Sequence, residues 1–125
     1  MTQEERELLF KDLCARLPYK VKVHIEHDVF YDEREPYDTT LDISVLHNVC
    51  KGMEIKPYLR PMSSMTEEEN KEFAKVMVRS QDCSYMNNES ATTMVNDWYL
   101  SKGFDVRGLI PKGLALEASE GMYEY

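Results

Sequence analysis

Two prolines bracket an extended segment near the middle of the chain, and this segment constrains the fold more than any other. It reads Lys-Pro-Tyr-Leu-Arg-Pro-Met-Ser-Ser-Met over residues 56–65. The residue before a proline avoids helical geometry, so the segment is predicted to be extended. Directly after it, Thr66 and Glu69 have the spacing of a capping box, which marks the start of a helix. The sequence therefore predicts strands before this segment and helices after it.

Residues 2–17 are predicted to form an N-terminal helix that Pro18 stops. Thr2 and Glu5 have the spacing of a second capping box. Cys14 lies beside the apolar stripe of this helix and is expected to be a small core residue. Leucines at four-residue spacing supply the stripe: Leu9, Leu13 and Leu17.

Residues 20–56 change to a two-residue period, which is typical of half-buried strands. A third, weaker strand is expected to end at Pro57, because proline cannot donate to a ladder. Residues 48–52 are short enough for a hairpin loop in which Gly52 takes a positive φ. Short connections of this kind predict an antiparallel meander. The apolar positions of the first two strands are Val21, Val23, Ile25, Leu41, Ile43 and Val45.

The C-terminal part is predicted to be helical, with helices over about 66–80 and 90–102. Ser90 is the expected N-cap of the second one, and Gly103 is expected to end it in the left-handed conformation, with a contact between Tyr99 and Phe104. Asp105 is expected to cap a short turn in the C-terminal segment 105–125, whose last residues should fray.

A length of 125 residues favours a single domain that spans 1–125. The predicted fold class is α+β. A small three- or four-stranded antiparallel sheet is expected to pack against the N-terminal helix and two or three C-terminal helices.

Charge limits the possible partners. The formal net charge is −8 and the pI is about 4.9, so direct nucleic-acid binding and anionic membrane surfaces are disfavoured. A protein partner with a basic surface is favoured. The acidic N-terminus does not resemble a signal peptide, and the odd set Cys14, Cys50 and Cys83 is typical of reduced thiols, so a cytoplasmic location is expected.

Aromatic residues alternate with acids over residues 26–38, and this pattern is typical of protein-binding surfaces. A calcium loop is less favoured, because the spacing of an EF-hand is missing. An acidic loop without a function fits equally well. The candidate partner-binding residues are Phe30, Tyr31, Asp32, Glu33, Glu35, Tyr37 and Asp38.

Other candidate sites are weaker. Arg60, Ser63 and Ser64 precede a helix start, where N–H groups can bind an anion, although an ion pair between Arg60 and a carboxylate is the favoured interpretation. Arg107 is likewise expected to pair with Asp105 and to fix a turn. No nucleophile elbow or phosphate loop is present, so no catalytic, cofactor or metal residues are predicted.

Five segments of the chain carry a recognisable pattern: 11–19, 56–69, 97–98, 104–110 and 113–118. Together they resemble a group of small uncharacterised proteins of Bacteroidales bacteria and their phages and mobile elements. The resemblance implies a bacterial or phage origin and no specific activity. Two positions depart from the pattern of the group: Lys20 stands where glycine is common and Pro111 where an acid is common.

These observations favour a non-catalytic protein of phage or mobile-element type that binds and modulates another protein in a bacterial host cell. A homodimer through exposed edge strands is compatible with the predicted sheet. One alternative is an acidic DNA mimic that inhibits a nucleic-acid enzyme. The other is a small metal-dependent hydrolase or ligand-binding protein that uses His24, His27 and His47.

Overall fold

Residues 2–27, 35–82, 88–119 and 122–123 are described by a computed structural model of the chain. Over these residues the fold is α+β with a small sheet, as predicted. In chain order the elements are α1 (Gln3–Arg16), β1 (Lys22–His27), β2 (Tyr37–Thr40), α2 (Ile43–Cys50), β3 (Glu54–Leu59), α3 (Glu67–Asp82), α4 (Asn88–Ser101) and β4 (Leu116–Glu117), with 3-10 turns at Leu17–Tyr19 and Met62–Ser64.

The described sheet is mixed, with the strand order β2-β1-β3-β4. β1 pairs antiparallel with both β2 and β3, whereas β4 runs parallel to β3. The prediction of an antiparallel sheet is therefore correct for β1, β2 and β3 and wrong for β4. The predicted meander is also wrong, because α2 carries the chain from β2 across to the far side of β1.

Residues 43–50 form helix α2, and the predicted second strand is wrong. The Asp42 carboxylate accepts a hydrogen bond from the Val45 N–H at 2.8 Å, which makes Asp42 an N-cap. Gly52 has a positive φ of 104°, as expected, but it ends this helix and not a hairpin. The Met53 N–H bonds the Asn48 carbonyl at 3.1 Å, which completes a Schellman turn.

β3 continues past Pro57 to Leu59, so the predicted strand end is also wrong. A proline lacks the N–H that a strand with neighbours on both sides needs. β4 pairs with Tyr58 and Leu59, so among the described strands Pro57 has a neighbour on one side only, which is β1.

One face of the sheet carries the main core. Val23 and Ile25 of β1 and Ile55 of β3 pack with Leu9 and Leu13 of α1. Apolar residues of α2 and of the segment 109–115 complete this cluster, and none of the described side chains of α3 or α4 belongs to it. The other face carries the alternate residues of β1 and β3 and is largely polar, as a two-residue period predicts.

Helices α3 and α4 pack together around a second, aromatic cluster formed by Phe73, Trp98, Tyr99 and Phe104. α4 begins at Asn88, so Ser90 lies inside it and is not its N-cap. Its end is as predicted: Gly103 has a φ of 78°, and the Phe104 N–H bonds the Tyr99 carbonyl at 3.1 Å. This is a Schellman turn with the expected aromatic contact.

Part of the C-terminal segment is held in place, although fraying was predicted there. The Tyr123 hydroxyl donates a 2.7 Å hydrogen bond to the Tyr58 carbonyl and accepts one from the Lys22 N–H at 2.9 Å. Tyr123 thus bridges β1 and β3, and its ring packs on the main core.

Candidate functional site

An open groove of about 380 Å³ lies between α1 and the end of α2. Gln3, Arg6, Glu7 and Phe10 of α1 form one wall, and Val49, Cys50, Gly52 and Glu54 form the other. Its floor is apolar and consists of Leu9, Met53 and Ile55. An apolar floor with polar walls is the arrangement of many docking grooves.

Helix α2 lies beside the groove. None of its residues is fully buried, although five of its eight are apolar. Val45, Leu46 and Val49 pack against the main core, whereas Ile43 is 72% exposed and Cys50 is also exposed. Phe10, on the opposite wall, is 37% exposed. We call Phe10, Ile43, Cys50 and the groove the α1–α2 face.

Both described cysteines, Cys14 and Cys50, are exposed, and Cys83 lies outside the described residues. The expectation that Cys14 belongs to the core is wrong. The positions that α1 buries beside its leucines are instead Asp12 and Arg16.

The predicted partner-binding segment is described only in part. Phe30, Tyr31, Asp32 and Glu33 lie outside the described residues. Glu35 and Asp38 are exposed, whereas Tyr37 is half-buried and packs on the main core. The prediction that this segment binds a partner stays a prediction.

Asp38 belongs to a polar cluster on the open face of the sheet. Its Oδ1 atom lies 2.8 Å from His24 Nδ1 and accepts a hydrogen bond from the Tyr58 hydroxyl at 2.8 Å. These two interactions hold the pKa of Asp38 below its usual value. Burial and the neighbouring Asp38 carboxylate raise the pKa of Tyr58. The cluster joins β2, β1 and β3 through side chains.

The structure does not bring His24 and His47 together. His24 faces the open side of the sheet, whereas His47 lies on α2, which packs on the opposite side. The side chain of His27 is outside the described part of the chain. Within the described residues, no group of three His, Cys, Asp or Glu side chains is arranged to hold a metal ion.

Arg60 pairs with a carboxylate, as the favoured interpretation predicts. Its two terminal nitrogens donate to Glu69 at 2.8 and 2.6 Å, and its guanidinium stacks 4.3 Å from the centre of the Phe104 ring. The hydrogen bonds from Arg60 are the main cause that lowers the pKa of Glu69 to about 2. Glu69 also accepts from the Thr66 N–H, which completes the predicted capping box.

The Arg60–Glu69 pair lies in a polar depression of about 630 Å³ between α3 and β4. Ser64 is the last residue of the 3-10 turn and lines this depression. The neighbouring Ser63 is exposed. The Ser64 hydroxyl donates to the Pro61 carbonyl at 2.7 Å, and its own carbonyl accepts from Arg60 at 3.3 Å. The guanidinium is thus occupied by internal partners, and anion binding at these residues stays a prediction.

Arg107 pairs with Asp12 and not with Asp105, so the predicted partner is wrong. Its Nε atom lies 3.2 Å from Asp12 Oδ1, while Arg16 Nε donates to the other carboxylate oxygen at 2.6 Å. The Asp105 carboxylate instead accepts hydrogen bonds from the N–H groups of Leu109 and Ile110. Asp105 therefore caps the turn, as predicted.

Asp12 and Arg16 are fully buried, and Arg16 also donates to the Phe104 carbonyl at 2.7 Å. Among the described residues, Arg16 Nη1 and Arg107 Nε are buried without an aligned hydrogen-bond acceptor. This cluster therefore holds two positive groups on one carboxylate and ties α1 to the segment that follows α4.

We compared the chain with models of protein families, with curated proteins and with solved structures, and none of them matches it. Among the described residues, no helix is long and apolar enough to cross a bilayer.

Sequence reasoning missed the α1–α2 face, because it assigned residues 41–45 to a strand. A signal was present: Asp42 is a good N-cap, and Val45, Leu46 and Val49 recur at helical spacing. Alternation of Leu41, Ile43 and Val45 over the same residues favoured the strand.

Proposed function

We propose that this chain is a non-catalytic binding protein and that its α1–α2 face docks another protein. The observation that carries the proposal is the apolar floor of the groove, with Phe10 exposed on its wall and Ile43 exposed on the neighbouring helix α2. A groove with an apolar floor and polar walls is typical of docking sites.

The net charge of −8 supports a partner that is apolar at the centre of its contact surface and basic around it. The resemblance to proteins of Bacteroidales and their phages supports a phage or mobile-element protein that modulates a host or phage protein.

The two native exposed cysteines allow a matched test. Cys50 lines the groove, whereas Cys14 is exposed on α1 but does not line it. Two single-cysteine variants are made, one with Cys14→Ser and Cys83→Ser, the other with Cys50→Ser and Cys83→Ser. Each receives a thiol-linked photo-crosslinker and is irradiated in lysate of a Bacteroidales host.

The expected result is one adduct, identified by mass spectrometry, that forms from Cys50 and not from Cys14. The captured protein, once purified, should bind the unlabelled chain, and Ile43→Glu should weaken that binding at least about tenfold, because it places a charge in the apolar contact. Equal adducts from both cysteines, or binding that Ile43→Glu leaves unchanged, would contradict the proposal.

The DNA-mimic and metal-dependent alternatives remain hypotheses. On the open face of the sheet the acids alternate with lysines, and Lys56 pairs with Glu26 at 3.3 Å. An even mixture of charges does not favour an array of phosphate-like carboxylates on that face.

A further inference from the structure

We propose that the segment after β4 is a releasable strap on the paired strands β1 and β3. Its described residues are Ser119, Met122 and Tyr123, and we call them the strap. When the strap leaves, the two strands close on each other and lose no backbone hydrogen bond. The proposal goes beyond the proposed function and does not use the α1–α2 face.

The register of β1 and β3 shows which hydrogen bond the strap replaces. Val23 pairs with Pro57, so Lys22 lies opposite Tyr58, one position further along. Pro57 has no N–H, so it cannot exchange two hydrogen bonds with Val23. The alternation of an antiparallel ladder therefore points the Lys22 N–H at the Tyr58 carbonyl. The Tyr123 hydroxyl lies between these two groups, at 2.9 Å from the nitrogen and 2.7 Å from the oxygen.

Two arrangements of the strand ends satisfy the same backbone groups. With Tyr123 in place, its hydroxyl bonds both the Lys22 N–H and the Tyr58 carbonyl. With Tyr123 gone, a small movement of the strand ends joins these two groups directly. Backbone groups left without partners would oppose release, and direct pairing leaves neither of these two unpaired. An element with two well-paired arrangements is suited to a switching transition.

The contacts of the strap meet at the start of β1. Lys22 Nζ donates to the Met122 carbonyl at 2.9 Å and lies 5.9 Å from the centre of the Tyr123 ring. Met122 and Tyr123 are both half-buried. Before the strap the chain is fixed separately, because the Ala118 N–H bonds the Leu59 carbonyl at 2.8 Å. The strap can therefore leave without breaking the pairing of β4 with β3.

The strap also closes one side of the polar depression that holds the Arg60–Glu69 pair. Ser119 and Tyr123 belong to the lining of this depression. The Tyr123 ring also packs on the main core. Release of the strap therefore widens the depression and uncovers apolar side chains beside it, so the strap acts as a lid over a site that is both polar and apolar.

Two substitutions of Tyr123 in the full chain test the closing of the strands. Tyr123→Phe keeps the ring between the strands and removes the hydroxyl, whereas Tyr123→Ala removes both. The Lys22 amide should exchange with solvent at least about tenfold more slowly in Tyr123→Ala than in Tyr123→Phe, because only the alanine variant lets it bond Tyr58.

Nuclear magnetic resonance also detects the new bond directly. A scalar coupling across it, between the Lys22 nitrogen and the Tyr58 carbonyl carbon, should appear in Tyr123→Ala and be absent from the unmodified chain. Exchange of the Lys22 amide that is as fast in Tyr123→Ala as in Tyr123→Phe, or the lack of this coupling, overturns the closing of the strands.

Chymotrypsin tests release in the unmodified chain. The protease cuts after Tyr123 only when that ring leaves the core and enters the pocket of the protease, whereas a cut after the fully buried Phe104 needs global unfolding. The fragment that ends at Tyr123 should form without denaturant, before any cut after Phe104, at a rate that low urea hardly changes. If both cuts appear together with the same urea dependence, the strap leaves only on unfolding and the proposal fails.

Discussion

Lys20 is the one described residue other than glycine with a positive φ, at 54°. It follows the 3-10 turn Leu17–Tyr19 and leads the chain from α1 into β1. A side chain with a Cβ atom is strained in this left-handed conformation, which glycine adopts freely. The strain at Lys20 is therefore set by the tight turn that brings β1 under α1.

We expect Lys20→Gly to stabilise the protein by about 0.5–1 kcal/mol, because the relief of strain exceeds the added entropy of the unfolded chain. Chemical denaturation measures the change. Lys20→Ala keeps the Cβ atom and serves as the control, which should show no gain. A similar gain for both variants would show that the lysine side chain, and not the backbone, is the cause.

Glu69 is largely buried against Arg60, and its pKa of about 2 lies below that of an unfolded glutamate. A carboxyl group with a lowered pKa stabilises the folded state above its unfolded pKa, and the effect is lost as the pH falls toward its folded pKa. Stability should therefore decline between about pH 4.5 and pH 2.

We expect Glu69→Gln to lower the free energy of unfolding by about 3 kcal/mol at pH 7, because the Arg60 charge then lacks its carboxylate. The variant should also lose part of the acid-induced decline in stability. Denaturation across this pH range measures both effects. Glu67→Gln, at an exposed position in the same helix turn, is the control. An unchanged pH profile for Glu69→Gln would contradict this assignment.

At the scale of elements, two helices end in the same way, and side-chain caps begin two of the helices that precede α4. α2 ends at Gly52 and α4 at Gly103, each in a Schellman turn. α2 begins at Asp42, and α3 begins with the Thr66–Glu69 capping box. These local hydrogen bonds define the helix ends.

We expect Asp42→Ala to destabilise the protein by about 1 kcal/mol, because it removes the N-cap of α2. Asp42→Asn keeps a capping oxygen and should have little effect. Thermal unfolding compares the two. If both variants cost the same, the charge of Asp42 and not its cap would be the stabilising feature.

The buried Asp12 carboxylate connects α1 with the segment that follows α4, since it faces both Arg16 and Arg107. We expect Asp12→Asn to lower the free energy of unfolding by about 3–5 kcal/mol, because the buried Arg16 charge then lacks its counter-ion. Urea unfolding measures the loss.

Arg107→Met should cost much less, because the Arg107 side chain is 26% exposed and Asp12 keeps Arg16. If Arg107→Met lowers the free energy of unfolding as much as Asp12→Asn does, the Asp12 carboxylate is not the main stabilising group of the cluster.

At the scale of the whole molecule, a polar sheet face and an apolar α1–α2 face lie on opposite sides of one small sheet. The apolar face is uncharged along α2, and the chain as a whole carries a net charge of −8. Long-range attraction would thus bring a basic partner to the molecule, and apolar contact would hold it.

We expect the association rate with the captured basic partner to fall about tenfold between 50 and 500 mM salt, because salt screens the attraction. Stopped-flow mixing measures this rate. The dissociation rate, set by apolar contact, should change little. A salt-independent association rate would mean that the acidic charge plays no part in the encounter.

Interactions between residues a few positions apart in the chain determine much of the fold, and the sequence alone was enough to predict them. The capping boxes at Thr2 and Thr66, the turn at Gly103 and the alternation of β1 each need only neighbouring residues, so their physics is local. The α+β class follows from these elements. The Arg60 ion pair was also expected, since Arg60 lies near several glutamates.

Only the tertiary structure decided which apolar and charged residues are covered. It placed β1 at the centre of the sheet, selected a helix over residues 43–50, and buried Asp12 with Arg16 while leaving Cys14 and Ile43 exposed. Burial depends on which elements pack together, and a residue's neighbours along the chain do not contain that information.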